Sequence, residues 1–555
     1  MQIPVSELIV RYMERLGVEC IFGIPGSHIL PVYDALYDSK IKSLLVKHEQ
    51  AAAFMAGGHA RVTGGVGACI TTAGPGATNL VTAIASAYAD HLPVLAITGE
   101  APTYIFGKGG LQESSGEGGS IDQVALFAGI TRYHKLIERT DYLATVLNQA
   151  AKHLLSKTPG PVVLSIPYNI QKELVDASIL DDITFSSARN EYFVAGHHID
   201  NSVELLREAR RPLIIAGYGC IRAGAQEALR NISERLNIPV TSSLKAKGAV
   251  DERSPLSLGS LGVTSGGHAL RYLEQEADLV MVLGAGFNER TSYVWDKNLL
   301  AGKKLIQVDN SAQQLEKVFR ADLVVHTDLG AYLRALDSAL QAKNVAAKAP
   351  VDVAVFIKNA QEQADAEGKT IFDAKFDQVR AFYRWLEQQF PDGLVMFDDN
   401  IVFAQNFYRV SGKDRFYPNT GISSLGHAIP AAIGARCAVR HPVFAMIGDG
   451  GFHMCAMEIM TAVNYNIPLN VVLFNNNTMG LIRKNQHHLY RDRFIDCDFT
   501  NPDYALLAKS FGIHHVRVES EHDLAKLSAL DFLQGINLIE VLIDQDAYPN
   551  YSSRR

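Results

Sequence analysis

The 555-residue chain has six cysteines, Cys20, Cys69, Cys220, Cys437, Cys455 and Cys497, and no Cys-x-x-Cys pair. Thiols scattered in this way argue against a disulfide framework and against a thiolate zinc site. Long apolar runs are also missing: nowhere do about 18 apolar residues follow one another, so no membrane-spanning helix is expected. No block is dense in Lys or Arg, and the formal net charge is −7. That removes the electrostatic reason to expect nucleic acid or an anionic membrane as a partner. The opening stretch, MQIPVSELIVRYMERLG, has no charged leader with an apolar core and a small-residue cleavage site; it reads as an amphipathic helix, and the expectation is a cytoplasmic protein. No short-period repeat occurs. What remains is 47% hydrophobic and 20% charged, a composition typical of a folded chain long enough for three or four domains.

Short β-branched runs closed by Gly or Pro alternate with longer helical patterns, the rhythm of parallel sheets covered by helices. Strands are expected at 21–24, 67–72, 94–98 and 162–166, then at 212–216, 279–283 and 304–308, then at 443–447, 469–474 and 538–543. The reading is an α/β chain of three consecutive doubly wound parallel-sheet domains. Their expected bounds are 1–185, 186–355 and 356–555, with 176–198 and 341–370 as connecting stretches.

The strongest chemical signal lies in the last third. The strand 443–447 runs into Gly448-Asp449-Gly450-Gly451, and one helix and one strand later comes Asn475-Asn476-Asn477-Thr478-Met479-Gly480. Alone, Gly-Asp-Gly is a turn and an Asn-rich segment merely bends the chain. Together they put an Asp carboxylate, an Asn amide oxygen and a loop carbonyl at one sheet edge, a hard-oxygen donor set suited to a magnesium-bound phosphate. In the first third, Glu49 stands between the strand-like run 43–46 and an Ala-rich helix, where it is either a functional carboxyl or a first-turn Glu favoured by the helix dipole.

With both signals in strand context, the sequence resembles the thiamine diphosphate enzymes of the acetohydroxyacid synthase, pyruvate oxidase and decarboxylase superfamily, over essentially the whole chain. The resemblance implies that Asp449, Asn476 and the backbone of Thr478 hold Mg²⁺. It implies that Gly448, Gly450, Gly451, Met479, Gly480 and Leu481 contact the cofactor with them. His48-Glu49-x-x-Ala52-x-x-x-Ala56 is similar to the segment carrying the family's catalytic Glu, which hydrogen-bonds the aminopyrimidine ring of thiamine diphosphate. Gly74-Pro75-Gly76 with Asn79 resembles a turn of the same domain, Gly26-Ser27 the family's first glycine turn, and Leu425 takes the place of the apolar residue that supports the bent cofactor. The family carries Glu and metal motif on different domains at a subunit interface, which implies a homodimer or a dimer of dimers. Flavin adenine dinucleotide (FAD) in the central domain is left undecided, because Gly217-Tyr218-Gly219 is a weak glycine signal.

Departures from the family gather on the substrate side. Ser27-His28 is similar to benzaldehyde lyase-like enzymes, and His28 is either a proton-transfer group or a polar loop residue. By direct spacing Gly118-Gly119-Ser120 replace the synthases' Phe-Gln-Glu, while Gln112 stands eight residues upstream and reaches the site only through a longer loop. Asn485 replaces the synthases' acceptor-pocket Trp, and Arg290 matches a segment in which it is a carboxylate anchor or an ion-pair partner. The expected activity is decarboxylation of a 2-oxo acid such as pyruvate and transfer of its acyl unit to a carbonyl acceptor, with Glu49, His28 and Gln112 as catalytic residues and His28, Gln112, Arg290 and Asn485 facing substrate. The alternatives are a lyase or hydrolase acting on a 2-hydroxyketone or 1,2-diketone, and a simple 2-oxo acid decarboxylase.

Overall fold

The computed structural model describes residues 1–185, 194–400 and 402–551. It contains three six-stranded sheets, each parallel throughout and each flanked by helices. Their central strands are buried from end to end, as in Val94–Glu100, Leu279–Leu283 and Leu469–Asn475. This is why they read in the sequence as continuous apolar runs with no alternation. A two-stranded antiparallel ribbon, Gln2–Pro4 with Leu174–Asp176, ties the start of the chain to the end of the first sheet unit.

In spatial order the first sheet runs Lys42–Leu45, Cys20–Gly23, Gly67–Thr71, Val94–Glu100, Val162–Pro167, Tyr133–Leu136. The third runs Arg415–Pro418, Val395–Asp398, Val443–Gly448, Leu469–Asn475, Ile536–Leu542, His514–Val518. Numbered within each unit, both have the order 2-1-3-4-6-5. The central sheet runs Ser257–Leu261, Val240–Ser243, Pro212–Ala216, Leu279–Leu283, Lys304–Asp309, Leu323–His326, which is the 3-2-1-4-5-6 order of a dinucleotide-type fold. The stretch 341–370 contains a helix, Val353–Ala366, capped by the Asp352 side chain on the Val355 N–H at 3.0 Å. Residues 186–193, within the other connecting stretch, lie outside the described residues.

The first and third units pack on each other through topologically equivalent helices, Glu49–Thr63 and Ala428–Arg436, each lying between the second and third strands of its sheet. Most residues of both are buried, because each is covered by its own sheet on one side and by its counterpart on the other. Small residues make this possible. A Cβ on Gly58 would stand 2.0 Å from the Ala431 carbonyl oxygen, and one on Gly434 would stand 2.0 Å from that of Met55. Such reciprocal contacts, 58 with 431 and 55 with 434, are what a local two-fold axis through the crossing produces. One hydrophobic core accordingly runs from Cys20, Phe22 and Ala51–Ala56 to Ile447, Leu473 and Leu538.

Candidate active site

The carboxyl ends of the third sheet open onto a cavity of about 320 Å³. Asp399 follows the first strand of this sheet and Asp449 follows the third; these two strands are neighbours whose connections leave in opposite directions, the position at which doubly wound sheets hold ligands. Asp449 is buried and fully engaged. Its Oδ2 accepts from the N–H groups of Asn476 (3.1 Å) and Asn477 (2.7 Å) and from Asn501 Nδ2 (3.0 Å), and its Oδ1 from the Gly450 N–H (3.0 Å). Burial still pushes its carboxyl above the ordinary aspartate range, a cost that a cation in the cavity would offset.

Asn476 and Thr478 line the same cavity, with Gly448, Gly450, Gly451, Met479, Gly480, Leu481 and Leu425. The Thr478 hydroxyl is taken up by the Cys497 carbonyl at 2.8 Å, and the Met479 sulfur occupies the place a Cβ on Gly450 would need, 2.3 Å away. Among the described residues no group of three His, Cys, Asp or Glu side chains converges. Asp449, Asn476 and Thr478 on a common wall could instead supply one carboxylate, one amide oxygen and one backbone carbonyl, a hard-oxygen set of the kind that suits Mg²⁺ with a diphosphate. Arg290, from the central unit, also lines this cavity, whereas Asn485 is not part of its wall and sits half-buried farther along the helix Gly480–Tyr490. The helix carries it past Gly480, Leu481 and Ile482, the residues of its first turn that line the cavity.

The carboxyl ends of the first sheet hold a second cluster. Glu49 opens its helix behind the N-cap His48, whose Nδ1 accepts from the Gln50 N–H at 3.2 Å. The Glu49 Oε2 accepts from Asn79 Nδ2 at 2.9 Å. Gly26 and Gly76 both press on Thr72, so closely that a Cβ at either would fall within 3 Å of its side chain. His28 is buried, and Gln112 meets it with Oε1 3.3 Å from its Nδ1 and 3.4 Å from the Thr72 hydroxyl. The long Gly-rich loop thus does bring Gln112 to His28. It is shaped by Glu113, whose carboxylate accepts from the Gly109 and Gly110 N–H groups at 3.0 and 2.9 Å, from Gly107, and from the Ser115 hydroxyl. Nearby, Glu100 ends the fourth strand fully buried, accepting from the Ala101 and Ser114 N–H groups, and burial raises its carboxyl to about 7.

The two clusters stay apart within one chain: Glu49 is not among the residues lining the cavity of Asp449. Several residues of the region carry no local sequence signal. Asn501 braces Asp449 and Asn475; Asp399 accepts from Asn419 Nδ2 (3.2 Å) and the Ala428 N–H (3.0 Å), faces His427 Nδ1 at 3.3 Å, and so shapes the loop bearing Leu425.

Comparison with known proteins gives the family of the chain. Three family models match in series: the N-terminal TPP binding domain of thiamine pyrophosphate enzymes over residues 3–126, their central domain over 199–336, and their C-terminal TPP binding domain over 399–541. The chain belongs to the thiamine pyrophosphate enzyme family. Among similar proteins, the probable acetolactate synthase large subunit of Methanocaldococcus jannaschii is 32% identical over 97% of this chain and 92% of its own length. The acetolactate synthase isozyme 2 large subunit of Escherichia coli is 31% identical over 97% and 95%, and the acetolactate synthase large subunit of Lactococcus lactis 30% identical over 98% and 93%. In this thiamine pyrophosphate enzyme the family's two cofactor-binding domains coincide with the two units of identical strand order. Among the described residues no helix is long and apolar enough to cross a membrane.

Proposed function

We propose that this enzyme, with thiamine diphosphate and Mg²⁺, decarboxylates a 2-oxo acid such as pyruvate and transfers the acyl unit to a carbonyl acceptor. The observation that carries the proposal is the convergence of Asp449, Asn476, Thr478 and Leu425 on one cavity in a chain whose relatives are named acetolactate synthases. When bound, the cofactor supplies an acidic ring carbon that adds to a carbonyl and takes up the electron pair released by C–C cleavage. Asp449, Asn476 and the Thr478 carbonyl would hold the metal and the diphosphate, Leu425 would support the cofactor, and Glu49 would hydrogen-bond its pyrimidine ring. Arg290 offers a cation to the substrate carboxylate, and His28 with Gln112 holds or moves a proton at the substrate oxygen.

The reading includes a homodimer, or a dimer of dimers, in which Glu49 of one chain faces Asp449 of another. Its supports are the separation of the two clusters within a chain and the exposed apolar side chains of Leu30, Ile422, Met454, Met457, Leu481 and Ile482. Mixing Glu49→Gln and Asp449→Ala chains tests it, since half of the heterodimer's sites would regain both residues. The domain bounds near 185 and 355 belong to the same proposal. The central sheet opens onto a cavity of about 890 Å³ lined by Arg132, Arg222, Lys245 and Lys317, with Asp309 at a strand end. Its size and cationic wall fit FAD, and the visible absorbance of the purified chain reports whether it is there.

A second reading, cleavage of a 2-hydroxyketone or 1,2-diketone, is favoured by the contact of His28 with Gln112, together with Asn485 at the synthases' Trp position. The experiment is holoenzyme with pyruvate alone, followed by carbon dioxide release and product mass. Acetolactate supports transfer and acetaldehyde indicates simple decarboxylation. No turnover of pyruvate, with cleavage of benzoin or a 1,2-diketone, establishes the second reading instead.

A further inference from the structure

The segment leading into Glu49 is held in place from the other end of the chain. Residues Lys42–Leu45 form the edge strand of the first sheet, so the N–H groups at and beyond its end need partners from elsewhere. The third unit supplies them. The Leu45 N–H donates to the Tyr465 hydroxyl at 2.8 Å, and the Lys47 and His48 N–H groups both donate to Glu458 Oε1 at 2.9 Å. Glu458 Oε2 accepts from the Thr461 hydroxyl at 2.9 Å, so both carboxyl oxygens are used within the protein. The side chain is buried, and burial raises its carboxyl above the ordinary glutamate range. Burying a carboxyl is costly and is repaid here by hydrogen bonds that serve the two residues immediately before Glu49.

Glu458 closes the single turn Ala456–Glu458 that continues the helix Asp449–Cys455. One short stretch therefore begins at the residue on the diphosphate cavity and ends at the residue that fixes the backbone before Glu49. We propose that Glu458 is a positioning residue: it sets the backbone at Lys47 and His48, and through it the direction in which Glu49 leaves the helix start. The proposal rests on the assignment of Glu49 to cofactor activation. A carboxyl that must meet one ring nitrogen at hydrogen-bond distance is sensitive to displacements of an ångström, which cost about 100-fold in well-oriented reactions.

The test uses two readouts that need no substrate. The first is amide hydrogen exchange of the segment 45–49 in the cofactor-free chain. The second is exchange into D₂O of the thiazolium ring proton of thiamine diphosphate bound to the full-length enzyme. Glu458→Met, close in volume but without an acceptor, is expected to expose the Lys47 and His48 amides and to slow ring-proton exchange about 10- to 100-fold, with cofactor affinity within about threefold of wild type. Glu458→Gln keeps an oxygen acceptor for both N–H groups and is expected to recover most of both signals. If Glu458→Met does not fold, Glu458→Asp, which withdraws the carboxylate by one methylene, carries the same expectation. Unchanged ring-proton exchange in the acceptor-less or shortened variant, with Glu49→Gln slow, overturns the positioning role and leaves the Glu49 assignment standing. Wild-type exchange in Glu49→Gln removes that assignment and the positioning role with it.

Discussion

The first and third sheets share one strand order and put different chemistry at equivalent strand ends. After the third strand, the first unit makes a glycine turn around Thr72, whereas the third places Asp449 with three backbone or amide donors on one oxygen. The fourth strand ends in Glu100 in one unit and in Asn475 in the other, the latter paired with Glu540 at 2.7 Å and with Asn501 at 2.8 Å. The helix after the second strand begins with Glu49 in one and, in the other, with an Ala428 N–H held by Asp399. The scaffold thus repeats while the loops differ, and under the proposed function they divide the labour, one unit presenting an acid and the other a set of oxygen ligands.

The sharpest break of this division is at the acid. Glu49→Gln is expected to lower kcat by about 10²- to 10⁴-fold, the usual worth of a proton-transfer group, with the magnesium requirement unchanged. Steady-state rates over a magnesium titration check both halves of that expectation. Asp449→Ala is expected to do the converse: about 10-fold or more additional Mg²⁺ for half-maximal activity, because one of the three proposed protein ligands is gone. Isothermal titration of the metal with cofactor present reads this directly.

Two further changes address the shared scaffold. Gly434→Val puts carbon where the Met55 carbonyl oxygen already is, and is expected to cost roughly 3 kcal/mol or more in denaturant unfolding, since backbone cannot yield as a side chain would. The last change probes the buried carboxyl that has no counterpart in the third unit. Glu100 has its carboxyl raised from 4.5 to about 7. Between those pH values the folded chain keeps a proton that the unfolded chain has released, so stability falls as pH rises through that window. Glu100→Gln is expected to remove that slope, worth at most roughly 3 kcal/mol, in unfolding midpoints compared at pH 5 and pH 8.

The same comparison shows what the sequence makes legible. Central strands such as Leu279–Leu283 and Leu469–Asn475 announce themselves because both faces are buried and most of their residues are apolar. Edge strands such as Tyr133–Leu136 and His514–Val518 are half-exposed and mixed in character, and no apolar run betrays them. Asp449 and Asn476 are readable because one helix and one strand separate two ends of neighbouring strands in a parallel sheet. Gln112 is readable as a residue but not as a neighbour of His28, since the loop geometry depends on hydrogen bonds from backbone N–H groups to the Glu113 carboxylate, with no side-chain pattern. Asp399, Glu458 and Asn501 find their partners through tertiary packing. Glu458 meets His48 across most of the chain, a separation over which local pattern carries no information.

The paired helices at the local two-fold also have a consequence during synthesis. The small-residue face Ala51–Gly58 leaves the ribosome long before Ala428–Arg436 exists to cover it. At ~5–20 residues per second the wait is some tens of seconds. Until the last third arrives, the first unit shows the translating cell a flat apolar strip. The nascent chain, more than the finished enzyme, is therefore the form in which this apolar strip is open to misassembly.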